Sequence, residues 1–462
     1  MSDRFDRVAA SLAEAMDRWT VPGAALGIVH EGRRQTACFG VTSALDPLPV
    51  HDDTFFQIGS TTKTMTATVA VRLAAEGRLD LDAPLRRYVP ELRLADEDAA
   101  ARVSMTHILT HSGGWLGDFF ENTGRGDDAL ATAVQRLADL PHLTPVGSEW
   151  HYLNSGFYLA GRVIEIVTGM TFEAAMRELL FEPLGMRMTK FFPEEVIAYR
   201  VAVGHYVRDG VPEVVRQWAL HRSAHAAGGA ISTVGDQLTY AELHLGDGIA
   251  PDGRRVLERS AAQAMRAPVG PRGAVGLSWW LRTVDGTTLV SHGGTTAGQQ
   301  SAFVLVPERG FGITLLTNSS QGHAAHRAAV RLALREYCGL DDRDPASRRP
   351  TLEEARPFLG RWMIARTMLE LRSEGDEVLL VPGPRPGVPP PPNGWPPYAP
   401  PARCGIVDRD TLVVLEGPGQ GNRVELVRGT SGAPEWLRFG LRLYAPEERA
   451  DRYPARGGGL VS

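Results

Sequence analysis

Lysine is almost absent from this chain, and one of its two lysines stands three residues after a serine. Of 49 basic residues only Lys63 and Lys190 are lysine; everywhere else positive charge is written as arginine. Arginine cannot release its proton, so a retained lysine marks a place where an amine able to act as a base has value. Lys190 has no neighbours that call for one and reads as a chance survivor. Lys63 closes the run Gly59-Ser-Thr-Thr-Lys63 and opens a stretch whose Ala67, Val71 and Ala74 recur at helical spacing. Ser60 and Lys63 then share a helix face. The Ser60 hydroxyl sits at the positive end of the dipole, with backbone N–H groups free to hold an oxyanion. A serine hydroxyl becomes a nucleophile at neutral pH only with a base beside it. Lys63 is such a base where burial or nearby positive charge destabilises its ammonium. The pair predicts acyl-enzyme chemistry at Ser60. S-x-x-K alone is a weak signal, the alternative being a serine N-cap followed by a solvated lysine, although a first-turn lysine opposes the dipole.

Two further groups could complete such a site. Trp150-His-Tyr152-Leu-Asn154 follows a Pro-Val-Gly turn and enters a helix-like run at Phe157–Thr168. Tyr152 offers a phenol to relay protons, and Asn154 an amide for Lys63 or a substrate carbonyl; the alternatives are a packed aromatic and an N-cap. Ser291-His292-Gly293-Gly294-Thr295 ends a strand-like run. Gly293 and Gly294 allow close backbone approach of a substrate, and the Thr295 N–H is a second candidate oxyanion donor beside that of Ser60. Trp115, Phe119, Phe120 and Trp218 are read as walls of an acyl pocket, with ordinary core packing the competing reading. His107, His111 and His225 are read as structural, since none stands at ligand spacing with a carboxylate. Gly124-Arg-Gly-Asp-Asp128 reads as a solvated loop. No metal and no cofactor is expected.

These residues need a scaffold. Strand-like runs occur at Ala24–His30 and Gln35–Phe39. They return at Leu277–Thr283, Thr288–Ser291, Gln300–Val306 and Gly312–Asn318, before a helix over His323–Tyr337, and the middle is rich in helix. Strands first and last predict one antiparallel sheet fed from both ends of residues 1–340, flanked by helices and joined to a helical region. Residues 341–352 read as a linker. Residues 353–450 hold short alternating runs at Phe358–Ala365, Met368–Ser373, Glu377–Val381, Thr411–Glu416, Arg423–Arg428 and Glu435–Tyr444, a pattern that suits a small antiparallel β-barrel. Pro382–Pro401 reads as an exposed loop and 451–462 as a frayed tail.

Composition narrows the partners. A net charge of −5 without a basic stripe argues against nucleic acid, and no apolar run approaches a membrane span. The charged amphipathic N-terminus has no secretory pattern. Cys38, Cys338 and Cys404 are odd in number and scattered. The expected compartment is the cytoplasm.

Ser60-Thr-Thr-Lys63, Tyr152-Leu-Asn154 and His292-Gly-Gly294, in that order, resemble the penicillin-binding-protein and class C β-lactamase family, whose pattern is S-x-x-K, Y-x-N, then K-T-G or a variant such as H-x-G. Ala75–Pro84, Tyr88–Glu91, Thr106–Gly114 and Ala227–Thr233 are similar as well, so the resemblance spans roughly residues 5–338. It implies an α/β fold in which an antiparallel sheet with flanking helices meets an all-helical lobe at the site. The tail, opening Phe358-Leu-Gly-Arg-Trp362, is similar to lipocalin-like barrels appended to some members. By resemblance Lys63 and Tyr152 manage the Ser60 proton, either being the primary base. Asn154 contacts Lys63, and His292 supports Tyr152 or orients substrate. Family lactamases usually carry lysine where His292 stands; members with histidine tend to be esterases, D-aminopeptidases or thioesterases that release and cyclise nonribosomal peptides. The expected substrate is a small or peptidyl acyl donor: an intracellular ester, thioester or D-residue peptide, lacking the usual carboxylate anchor and open to delivery by a carrier protein. The rivals are a plain carboxylesterase, a D-aminopeptidase or β-lactamase-type hydrolase, and a penicillin-binding sensor that is acylated without turnover.

Overall fold

The computed structural model describes residues 3–218, 220–389 and 397–453. Parts of the expected 382–401 loop and of the 451–462 tail lie outside them. The chain divides into two compact units, one of residues 3–116 and 120–342, the other of residues 117–119 and 343–453.

The first unit opens with helix α1 (Asp3–Arg18), β1 (Gly23–His30) and β2 (Arg33–Gly40). The β1–β2 turn places both Glu31 and Gly32 at positive φ, the geometry a two-residue hairpin needs to match strand twist. The short β3 (Phe56–Gln57) precedes α2 (Thr62–Ala75), and β4 (His205–Arg208), β5 (Val211–Val214) and β6 (Ile231–Ser232) lie far downstream. The unit closes with β7 (Trp280–Val284), β8 (Thr287–Thr296), β9 (Gln299–Val306) and β10 (Phe311–Thr317). One six-stranded antiparallel sheet results, ordered β2-β1-β10-β9-β8-β7, so the two chain ends meet at β1 and β10. Both faces are covered, which is why β1 is apolar almost throughout instead of alternating. On one face Phe5, Val8, Leu12 and Met16 of α1 join Ala325, Ala329 and Ala333 of the helix Gly322–Ala333 over Leu26, Ile28, Ile313 and Leu315. On the other, the helix Val234–Leu245 presses so close to β1 that a Cβ on Gly27 would come within 2.8 Å of Val234 Cγ2.

The β4–β5 hairpin, turned by Asp209-Gly210, interrupts a middle expected to be helical. Its Asp-Gly pair is a hairpin signal hidden by the shortness of the flanking runs.

The second unit is a closed eight-stranded antiparallel barrel of β11 (Gly360–Ile364), β12 (Thr367–Glu374), β13 (Glu377–Pro384), β14 (Ala402–Asp408), β15 (Thr411–Val414), β16 (Arg423–Arg428), β17 (Pro434–Phe439) and β18 (Arg442–Pro446). Pairing of Trp362 with Pro446 and Met363 with Ala445 closes the ring. The single run expected at Glu435–Tyr444 is two strands, because Gly440 and Leu441 both take positive φ; a leucine there carries no turn signal. β14 was absent from the expected runs because Gly405 breaks its pattern. A Cβ there would lie 2.9 Å from Ser347 Oγ, and Arg348 exchanges backbone hydrogen bonds with Ile406 at 3.1 and 2.7 Å, so part of the expected linker pairs with the barrel. Among the described residues no helix is long and apolar enough to cross a membrane.

Candidate active site

Ser60 lies in a 3-10 turn, Gly59–Thr61, that leads into α2, so the α-helix starts two residues later than its pattern suggests. β8 passes directly against this turn. A Cβ on Gly59 would lie 2.6 Å from Thr295 N, and one on Gly294 would lie 1.9 Å from Ile58 O. Glycine at both places is what brings the backbones of Ser60 and Thr295 side by side. β9 fastens the turn from below: Ser301 Oγ donates to Ile58 O at 2.8 Å and pairs with Thr61 Oγ1 at 2.9 Å, and Gln299 Oε1 accepts the Gln57 N–H at 3.1 Å.

Lys63, on α2, is completely buried. Its Nζ reaches Ser60 Oγ at 3.0 Å, Asn154 Oδ1 at 2.7 Å and Ala227 O at 2.5 Å. A carbonyl and an amide oxygen only accept. A neutral amine therefore spends its two hydrogens on Asn154 and Ala227 and turns its lone pair to the Ser60 hydroxyl; an ammonium would place its third hydrogen there instead. Asn154, the first residue of the helix Asn154–Thr168, thus serves Lys63.

The Ala227 carbonyl is held by a network the sequence did not disclose. Thr66 Oγ1 donates to Ala226 O at 2.8 Å, while His225 Nδ1 bonds Glu173 Oε1 at 2.7 Å, both side chains buried. Arg222 grips the same carboxylate through Nε at 3.2 Å and Nη2 at 3.1 Å. Burial pushes the Glu173 carboxyl up, but the hydrogen bonds from His225 and then Arg222 outweigh it and hold it down at about 2. His225 thus does meet a carboxylate, one 52 residues distant in sequence.

Tyr152 is 7% exposed, with Lys63 Nζ 4.8 Å from its ring centre. Its aromatic neighbours are His111 at 4.6 Å, Trp280 at 6.3 Å and His292 at 6.3 Å between ring centres. His292 Nδ1 faces Gly293 O at 2.6 Å; a carbonyl only accepts, so the proton is on Nδ1 and Nε2 is an acceptor. Nε2 is buried and has no partner among the described residues. Burial first, then the Lys63 charge, lowers the His292 pKa to about 3. The site therefore carries a neutral acceptor at this place.

The expected aromatic wall is corrected in part. Trp115 is fully buried and its indole N–H donates to Ser155 Oγ at 3.0 Å, which makes it core. Trp218 packs on Phe55, Val196 and Ile231 and donates to Ala202 O at 2.8 Å. Phe119 is buried within the second unit, and Phe120 is half-buried. Trp280 is the aromatic residue that was missed. Its signal was available: the Asp285-Gly286 turn sets Trp280 opposite Ser291, next to His292. Among the described residues no group of three His, Cys, Asp or Glu side chains could hold a metal ion.

A buried lysine between a serine and a tyrosine, at the junction of an antiparallel sheet with a helical lobe, defines a class of serine hydrolases. Residues 8–336 match the Beta-lactamase family, and the chain belongs to it. It is 35% identical to penicillin-binding protein 4 of Amycolatopsis lactamdurans over 332 residues, covering 69% of this chain and 87% of that one. It is 37% identical to esterase EstB of Burkholderia gladioli over 183 residues, 36% of this chain and 45% of the esterase. The crystal structure of SurE superposes with a TM-score of 0.73 at 26% identity, covering 96% of this chain and 99% of SurE.

Proposed function

We propose that the chain carries an acyl group on Ser60 and passes it to water or to an amine. The observation that supports this most is the buried Lys63 amine, held 3.0 Å from Ser60 Oγ by the Asn154 amide oxygen and the Ala227 carbonyl. In acylation Ser60 Oγ bonds to the acyl carbon as its proton moves to Lys63, with Tyr152 close enough to share the charge. The backbone N–H groups of Ser60 and Thr295 receive the oxyanion. The tetrahedral adduct collapses by expelling the alkoxide, thiolate or amine, which takes up the proton through Tyr152. Water or an amine then attacks the ester carbon of acyl-Ser60, loses its proton to the same pair, and returns the serine hydroxyl.

The neutral His292 supports a substrate class. With a neutral His292 on β8, carboxylate-bearing lactams lack an anchor at that position, whereas esters, thioesters and D-residue-containing peptides without a free carboxylate there lose nothing. Transfer to an amine includes release of a nonribosomal peptide by its own amine, its thioester delivered by a carrier protein.

Intact-mass analysis tests the reading. An activated ester should add one acyl group to the wild-type protein and none to Ser60→Ala, and a millimolar amine should divert product from acid to amide. Acylation of Ser60→Ala would overturn the nucleophile. Acid as sole product at every amine concentration would reduce the function to hydrolysis.

A further inference from the structure

His111 is 1% exposed and sits at φ +57, a backbone region that favours glycine or asparagine. It follows the helix Met105–Leu109 by two residues, where a left-handed residue commonly ends the helix and glycine would serve without strain. A histidine held there implies work for its side chain. The residue holds the chain on both sides of Tyr152, with its main chain before the tyrosine and its side chain after it. The His111 carbonyl accepts the N–H of His151 at 3.0 Å, and its ring Nδ1 accepts the N–H of Leu153 at 3.1 Å. The ring also stacks on Tyr152, 4.6 Å between centres and 25° between planes, and Trp280 adjoins both rings, 5.4 Å and 4° from that of His111 and 6.3 Å from that of Tyr152. Since a backbone N–H can only donate, Nδ1 bears the lone pair and the ring proton is on Nε2.

We propose that His111 is the positioning residue of Tyr152, gripping the backbone before and after the tyrosine and fixing the plane of its ring. The proposal rests on the role given to Tyr152 above. The His151 bond is made by the main chain and survives any substitution, so the side chain's own share is the Leu153 bond and the stacking on Tyr152. Asparagine comes nearest, because its Oδ1 falls where Nδ1 is and it tolerates positive φ; glutamine places its amide near Nε2 instead.

The test compares His111→Asn, His111→Gln and His111→Ala with the wild type on an activated ester, together with far-UV spectra and melting curves. Loss of the clamp displaces a reacting group without touching the substrate. The alanine variant should therefore lose ~10–10²-fold in kcat with KM little changed, the scale of a misplaced catalytic group. Asparagine should recover most of that loss and glutamine little. If alanine fails to fold, the contrast between asparagine and glutamine carries the decision. Equal kcat for asparagine and glutamine, or an alanine variant with wild-type kcat, would overturn the positioning role. Failure of the wild-type protein to be acylated at Ser60 would overturn the proposed function itself.

Discussion

Replacing Asn154 by aspartate changes a charge and almost no volume, and the structure says what the charge would do. Asn154 Oδ1 lies 2.7 Å from Lys63 Nζ, and both side chains are buried. At that separation Coulomb's law with an effective dielectric constant near 20 gives about 6 kcal/mol of attraction between carboxylate and ammonium. Dehydrating the new carboxylate offsets part of this; with half of it left, about 3 kcal/mol would favour protonated Lys63, or ~10²-fold less free amine at neutral pH. The sign follows from the mechanism. A stabilised ammonium must lose its proton before it can serve Ser60, so the acid limb of the kcat/KM profile should move to higher pH. The assay is steady-state turnover of an activated ester from pH 6 to 10, with melting curves to show that Asn154→Asp folds. Activity should be ~10²-fold down at pH 7 and recover toward wild type at alkaline pH. A folded variant with the wild-type profile would refute the reasoning, because Lys63 would then not be the base.

Lys63→Arg keeps the charge and removes the base, so kcat should fall at least ~10²-fold in a folded protein, measured by ester turnover; near-wild-type turnover would make Lys63 merely electrostatic. Glu173→Gln should destabilise the protein by about 1–3 kcal/mol at pH 7, read by denaturant titration. Since the carboxyl is depressed from 4.5 to about 2, that contribution is complete above pH 4.5 and vanishes as pH falls toward 2, so the gap between the two proteins should close there. A chromogenic cephalosporin should be a poor substrate, and His292→Lys should bind its carboxylate better; efficient wild-type turnover would sink the account of His292. Limited proteolysis should nick residues 343–347, ahead of the Arg348–Ile406 pairing, before either unit unfolds.

What could be read in advance was what local chemistry announces. Ser60 and Lys63 stood out because lysine is rare and three residues on a helix share a face. The sheet strands stood out because buried β1 and β10 are largely apolar runs. The groups that aim these residues were silent for physical reasons. The Ala227 carbonyl is a backbone atom and has no residue type to betray it. Glu173 and His225, or His111 and Leu153, meet only after the helical lobe packs, so no spacing rule links them. Trp115 packs into the core because an aromatic after a glycine turn turns inward as readily as it lines a cleft. Trp280 was recoverable from hairpin arithmetic alone.

The Ser60 turn is fastened by Ser301 and Gln299, residues 243 and 242 positions beyond their partners Ile58 and Gln57. On the ribosome this separation becomes time. A nascent chain that has emerged through the helical lobe already displays Ser60 and Lys63, whose local contacts can form early. The strands that shape the turn and supply Thr295 are still unmade. Closing so long a loop is also slow. The serine therefore stays chemically quiet through most of its own synthesis, and truncated chains that end before β9 should not capture acyl groups in the cell.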